Sequence, residues 1–225
     1  MLTLAIDTST NILSVALMSG NEVLASINEQ TKNNQSEILM SRIEMMMNEC
    51  SVKPTDLERI AVATGPGSYT GIRVGVAAAK SLAYALDIPV IGVSSLEVMA
   101  HAANDVCLIV PMIDARRATV FAGVYERDVN LIPDGHYKIE ELLDKLNLEL
   151  FESDRVTFIG DGAIAHKERL LTIHEYADVL SETDLEYNKA EVLAKLASDA
   201  LPIENVHALL PNYLRKTEAE LNAGV

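Results

Sequence analysis

The 225-residue sequence predicts an α/β protein of two lobes, each opening with antiparallel strands and closing with helix-linked parallel ones, the second lobe reduced. Three observations predict it. Short apolar segments separated by turn signals come first, and helical periodicity follows them. The stretch from 59 to 86 reads as a buried strand, a Gly-rich loop and a long helix. After Asn104-Asp105 the apolar pattern restarts in the same strands-first order.

Residues 2–7, 12–18 and 22–28 read as three strands, the last two joined by the hairpin signal Ser19-Gly20-Asn21. A helix over 36–50 is broken by Val52-Lys53-Pro54-Thr55, since proline cannot continue it. A strand over 59–64, the Gly-rich loop and a helix over 71–86 follow. Then come a strand over 88–93 and a helix over 94–103, with Ser94 or Ser95 as its cap. This order is that of a ribonuclease-H-like half. The second half has strands at 106–114, 118–126 and 129–132, a helix at 139–147 and a buried strand at 155–160 turning at Gly160-Asp161-Gly162. Its last helix, 187–200, aligns Ala190, Leu193, Ala194 and Ala197 on one face. The expected division is a lobe over 1–104, a smaller lobe over 105–210, and a tail over 211–225 that packs back and then frays.

Apolar residues make up 49% and charged ones 23%, as in a globular protein, and no apolar run approaches the roughly 20 residues of a membrane span. The opening MLTLAIDTST reads as a strand rather than a leader, and Cys50 and Cys107 sit in apolar patterns, so a reducing cytoplasm is expected. The net charge is −15, from 18 basic and 33 acidic residues, with no basic stripe in either half. Gripping nucleic acid needs clustered Lys and Arg, so any RNA contact falls to a partner.

Asp7 with Thr8, Ser9 and Thr10 ends the first strand. A carboxylate and hydroxyls there could position a metal-bound phosphate, but the turn has no glycine, which favours Asp7 and Ser9 as satisfying turn donors. The loop Gly65-Pro66-Gly67-Ser68-Tyr69-Thr70-Gly71 fails two nucleotide templates. Its glycines are spaced one residue too wide for the dinucleotide fingerprint, and Ile72-Arg73 stands where a Walker loop has Lys-Ser or Lys-Thr. Arg73 opposes the helix dipole, which suggests a carboxylate, phosphate or carbonyl partner. Asp7, Ser9 and Arg73 are thus weak candidates for holding a cofactor, and none is expected.

Gly71, Gly75, Ala79 and Ala83 recur every four residues and make a smooth helix face for close packing, inside the protomer or at an interface. In the helix over 36–50, Leu39, Met40, Ile43, Met46, Met47 and Cys50 share one broad arc. Ile38 and Met45 lie off it, flanked by Arg42 and Glu49. Four of the eight methionines fall in this helix, which suits gap-filling in a core but also a surface that adapts to a partner, the reading favoured for its second face. The five histidines include no i,i+4 pair, and there is no nucleophile elbow. Asp114 before Arg116-Arg117, and Asp161 between two glycines, read as turn residues first.

LAIDTS at 4–9, QSE at 35–37, GPGSYTGIRVGVAAAKSLA at 65–83, MIDARR at 112–117 and PNYLR at 211–215 resemble the bacterial TsaB (YeaZ) family, in order along nearly the whole chain. The resemblance implies an actin/Hsp70/sugar-kinase (ASKHA) fold of two related lobes. It also implies a non-catalytic relative of TsaD, the subunit that transfers threonylcarbamoyl to adenosine beside the anticodon of tRNAs reading codons that start with A. TsaD-type proteins carry an HxxxH metal site in the region matching 35–50, where this chain has Gln35 and no histidine, so no metal or peptidase activity is implied. Many members read HSE where QSE stands here. The implied partners are TsaD and TsaE, with a homodimer when alone. The implied interface is the helix pair, with Ile38, Arg42, Met45, Glu49, Gly71, Gly75, Ala79 and Ala83 as candidates. The competing reading is an ATP-binding phosphotransferase or ATPase of the same fold, with Asp7 on the metal and the Gly-rich loop near the nucleotide.

Overall fold

The expected strand order forms a real sheet. The computed structural model describes residues 1–31, 34–103, 108–127, 129–149, 155–173, 175–185 and 188–214. Strands β1 (Leu2–Asp7), β2 (Ile12–Ser19) and β3 (Glu22–Gln30) make an antiparallel meander. Helix α1 (Gln35–Glu49) then leads through a 3-10 turn at Pro54–Asp56 to β4 (Arg59–Ala63), which pairs parallel with β1. Helix α2 (Tyr69–Leu86) starts on Ser68, whose hydroxyl accepts the Gly71 N–H at 3.2 Å, and β5 (Val90–Val93) extends the parallel side. Ser94 is the cap of α3 (Ser95–Ala102), accepting the Leu96 N–H.

The second unit repeats the order with β6 (Leu108–Asp114), β7 (Thr119–Glu126), β8 (Val129–Lys138), α4 (Ile139–Glu149), β9 (Val156–Ile159), α5 (Asp161–Ala165), α6 (Lys167–Leu170) and β10 (Ala177–Leu180). The two sheets run β3-β2-β1-β4-β5 and β8-β7-β6-β9-β10, the same antiparallel-then-parallel plan twice, which gives the ASKHA type of fold. β8 continues to Lys138, beyond the expected 129–132, and β10 was not expected at all. Residues 106 and 107 of the expected sixth strand, Cys107 included, lie outside the described residues.

The pleat of the first sheet divides its buried side chains between two faces. Leu4, Ile6, Leu13, Val15 and Leu17 pack with Leu39, Ile43, Met46 and Met47 of α1 and Val76, Ala79 and Ala83 of α2. The opposite face is lined by Ala5, Ala16, Ala61 and Ala63, small enough to admit a helix closely. Helix α7 (Lys189–Asp199) fills it with Ala190, Leu193, Ala194 and Ala197.

That packing changes the division read from the sequence. One compact unit joins Met1–Asn104 to Leu185–Pro211, and the other takes in Asp105–Asp184. The span 105–210 is therefore not a continuous lobe: its last helix completes the first unit, because its apolar face fits the alanine side of that sheet. The chain continues past α7 along the first unit's edge, where the Ile203 N–H donates to the Val90 carbonyl and Lys80 Nζ donates to the His207 and Leu209 carbonyls. Among the described residues no helix is long and apolar enough to cross a membrane.

Candidate functional site

The turn after β1 is buried throughout. Asp7 is 0% exposed, and Thr8, Ser9 and Thr10 are buried with it. Asp7 Oδ1 accepts from the Ser9 amide at 2.8 Å and from the Ser9 hydroxyl at 2.6 Å, the turn role expected for both residues. Asp7 Oδ2 makes no hydrogen bond. It faces the ammonium of Lys189, 3.5 Å away and 3% exposed, on the first turn of α7. The same ammonium donates to the Thr10 hydroxyl at 2.9 Å, and the Gln35 amide donates to the Thr10 carbonyl at 2.7 Å. Lys189 was missed from sequence because it was assigned to the other lobe. A lysine on the alanine face of a helix was the available signal.

The Gly-rich loop closes over this turn. The Ser68 N–H donates to the Ser9 carbonyl at 2.7 Å, and the Thr8 hydroxyl donates to the Gly71 carbonyl at 2.7 Å. A Cβ at Gly67 would fall well inside van der Waals distance of the Ser9 carbonyl oxygen, and one at Gly71 likewise of the Thr8 carbonyl oxygen. These glycines bring two backbones together. Arg73 is exposed and donates to its neighbour's phenol, Tyr69 Oη, at 3.1 Å, with its guanidinium 4.9 Å over the Tyr69 ring. The partner that the dipole argument asked for is an aromatic ring.

Helix α1 buries Leu39, Ile43, Met46 and Met47 of the arc read in the sequence and leaves Met45 exposed, but Ile38, Met40 and the small-residue face of α2 are placed differently. Gly71, Gly75, Ala79 and Ala83 are buried inside the first unit, with Ala79 and Ala83 in its core. This is a correction: the face is spent on β1 and β4 and offers nothing to another subunit. Ile38 is half-buried against the same core, whereas Met40, assigned to the core arc, is 48% exposed and Met45 is 42% exposed. Glu49 is exposed as expected. On α2 the outward residues are Tyr69 (51% exposed) and Tyr84 (67%), and Tyr69, Thr70, Arg73, Val74 and Ala77 line an open depression of ≈ 340 Å³.

Arg42 is not a free flanking charge. Its Nε donates to Glu29 of β3 at 2.7 Å, with a second hydrogen bond at 3.1 Å, and this hydrogen bonding holds the Glu29 carboxyl below its usual value of 4.5. A depressed carboxylate contributes stability above its unfolded pKa, and that contribution fades as pH falls through the lowered folded value. Arg42→Gln should therefore lower the urea midpoint slightly at pH 7 and leave it unchanged well below pH 4.5. Chemical denaturation at the two pH values checks this.

In the MIDARR segment, Asp114 Oδ1 accepts the Arg116 N–H at 2.8 Å, and the Asp114 N–H donates to Asp161 Oδ1 at 2.9 Å. Both carboxylates hold turns. Among the described residues no three His, Cys, Asp or Glu side chains are grouped to hold a metal. His174 and Arg215 lie outside those residues.

Residues 22–223 match the family model for TsaD, tRNA N6-adenosine threonylcarbamoyltransferase. The tRNA threonylcarbamoyladenosine biosynthesis protein TsaB of Bacillus subtilis (strain 168) is 37% identical over 223 residues, covering 96% of this chain and 95% of the relative. The solved structure of YeaZ from Pseudomonas aeruginosa is 25% identical with a TM-score of 0.74, covering 95% of this chain and 99% of that one. The ethanolamine utilization protein EutJ from Carboxydothermus hydrogenoformans shares the fold alone, at 10% identity and a TM-score of 0.52 over 87% of this chain and 89% of its own. Two repeated sheets, a loop that clamps the first turn and these matches lead to one conclusion: the chain belongs to the TsaB (YeaZ) family, whose curated relatives are named for tRNA threonylcarbamoyladenosine biosynthesis.

Proposed function

We propose that this chain is a non-catalytic subunit of the cytoplasmic machinery that makes threonylcarbamoyladenosine beside the anticodon of tRNAs reading codons that start with A. It docks TsaD through the outer faces of α1 and α2 and, with TsaE present, holds TsaD in a working arrangement. The same outer faces pair two copies of the chain when it is alone.

One observation carries this reading. Both helices commit their inner faces to the core yet leave Met40, Met45, Tyr69 and Tyr84 exposed, with Tyr69 lining the depression on α2. Large aromatic and methionine side chains are what a protein interface concentrates. Helix α2 is also locally basic: it carries Arg73 and Lys80 and no acid, on a chain of net charge −15. Such a local reversal steers the approach of one partner face rather than a nucleic acid. The tRNA is accordingly gripped by the partner.

Reconstitution tests the division of labour. With purified TsaD, TsaE, the threonylcarbamoyl adenylate donor and tRNA, modification should depend on adding this chain. Modification of tRNA by this chain with TsaD omitted would contradict the assignment.

A further inference from the structure

The fold class implies a nucleotide and metal for its enzymes, and Asp7 at the strand end is where the competing reading puts the metal. The residues present do not fit that group. Asp7 Oδ1 is occupied by the Ser9 amide and hydroxyl. The Ser9 carbonyl takes the Ser68 N–H, the Thr8 hydroxyl is on the Gly71 carbonyl, and the Thr10 carbonyl takes the Gln35 amide. The remaining carboxylate oxygen, Oδ2, has no hydrogen bond and is fully buried, so it demands a cation.

A cation is already there. We infer that Lys189 is a tethered counter-ion that takes a metal's place beside Asp7, so that the turn fastens α7 to the first sheet and accepts no metal nucleotide. The ammonium lies 3.5 Å from Oδ2 and is fixed by the Thr10 hydroxyl at 2.9 Å. A divalent ion at Oδ2 would meet this buried positive charge at contact distance, where little solvent screens the repulsion. Its neighbours hold the lysine in place: Asn188 Nδ2 donates to the Ile27 carbonyl at 3.0 Å, and Glu191 accepts the Ser26 hydroxyl at 2.5 Å. The first turn of α7 is thus pinned to β3, to β1 and to the turn after β1. The inference stands whichever partner occupies the outer faces of α1 and α2.

The test compares the full chain with Asp7→Asn, Lys189→Met and the double variant, by urea unfolding and by Mn²⁺–ATP titration. Each single substitution strands a buried polar group and should lower the folding constant, by about 100-fold for Lys189→Met, which leaves a bare carboxylate. The double variant should recover at least about tenfold over the product of the singles, because it removes both charges. Wild type and double variant should respond alike to Mn²⁺–ATP. Singles too unstable to purify, beside a double variant that unfolds cooperatively, also support the pair. Additive single effects, a double variant that does not fold, or Mn²⁺–ATP binding by wild type that the double variant loses would each overturn it.

Discussion

Gly71→Ala is expected to destabilise the first unit by about 2–3 kcal/mol, although alanine is the better helix former by up to about 1 kcal/mol. The two effects have opposite signs, and the geometry decides between them. Gly71 is buried in the first turn of α2, and a Cβ there would overlap the Thr8 carbonyl oxygen, with Gln35 Oε1 and Ser68 Cβ each 3.2 Å away. Thr8 cannot retreat freely, because its hydroxyl is bonded to the Gly71 carbonyl and its residue is fully buried. Helix α2 would have to lift from β1 and loosen its packing on the sheet. In a chain of this size the loss corresponds to a fall in Tm of roughly 4–12 °C. Thermal unfolding by circular dichroism measures it, and an unchanged or higher Tm would mean that the helix does not approach the turn so closely.

Met45→Asp combined with Tyr69→Asp is expected to separate assembly from folding. Both side chains are about half in solvent and neither belongs to a buried core cluster, so neither substitution empties the core. The stability change should stay within about 1 kcal/mol: aspartate is a poorer helix former than methionine at position 45, but at position 69 it sits in the first turn, where the helix dipole favours an acid. In an interface, by contrast, each introduced carboxylate would be buried without a partner. If the outer faces pair two copies, the expected result is a monomeric variant by sedimentation at concentrations where wild type sediments as a dimer, with a Tm within about 4 °C of wild type. Ile38→Asp would not make this distinction, since Ile38 packs against the core and its loss would also weaken the fold.

The first five strands, the Ser94 cap and the turn role of Asp7 and Ser9 were legible because each rests on local chemistry: alternation, capping and short-range hydrogen bonding. β10 was not legible, because its four residues are only partly covered and carry no clean alternation. The direction of the Gly71–Ala83 face could not be read either. A smooth helix stripe fits a neighbouring strand as well as a second subunit, and only the buried turn at Thr8 decides. The exchange of roles between Ile38 and Met40 has a similar origin. Both lie near the edge of the apolar arc, and only the packing of α1 in the first unit decides which one is covered. The Asp7–Lys189 pair joins the two ends of the first unit across the whole intervening lobe, a contact that periodicity cannot register.

The Gly-rich loop has two consequences for α2. It holds α2 against the β1 turn, and that anchoring leaves the opposite side of the helix, with Tyr69, Arg73, Ala77 and Tyr84, facing outward for a partner. The clamp and the proposed docking surface are thus two sides of one helix.

The docking claim is tested most directly by titrating purified TsaD into fluorescently labelled wild-type chain and into the Met45→Asp/Tyr69→Asp variant, with the Tm of both recorded. A loss of affinity of about 100-fold or more is expected in the variant, at a Tm within about 4 °C of wild type. Equal affinity for the two chains would contradict it.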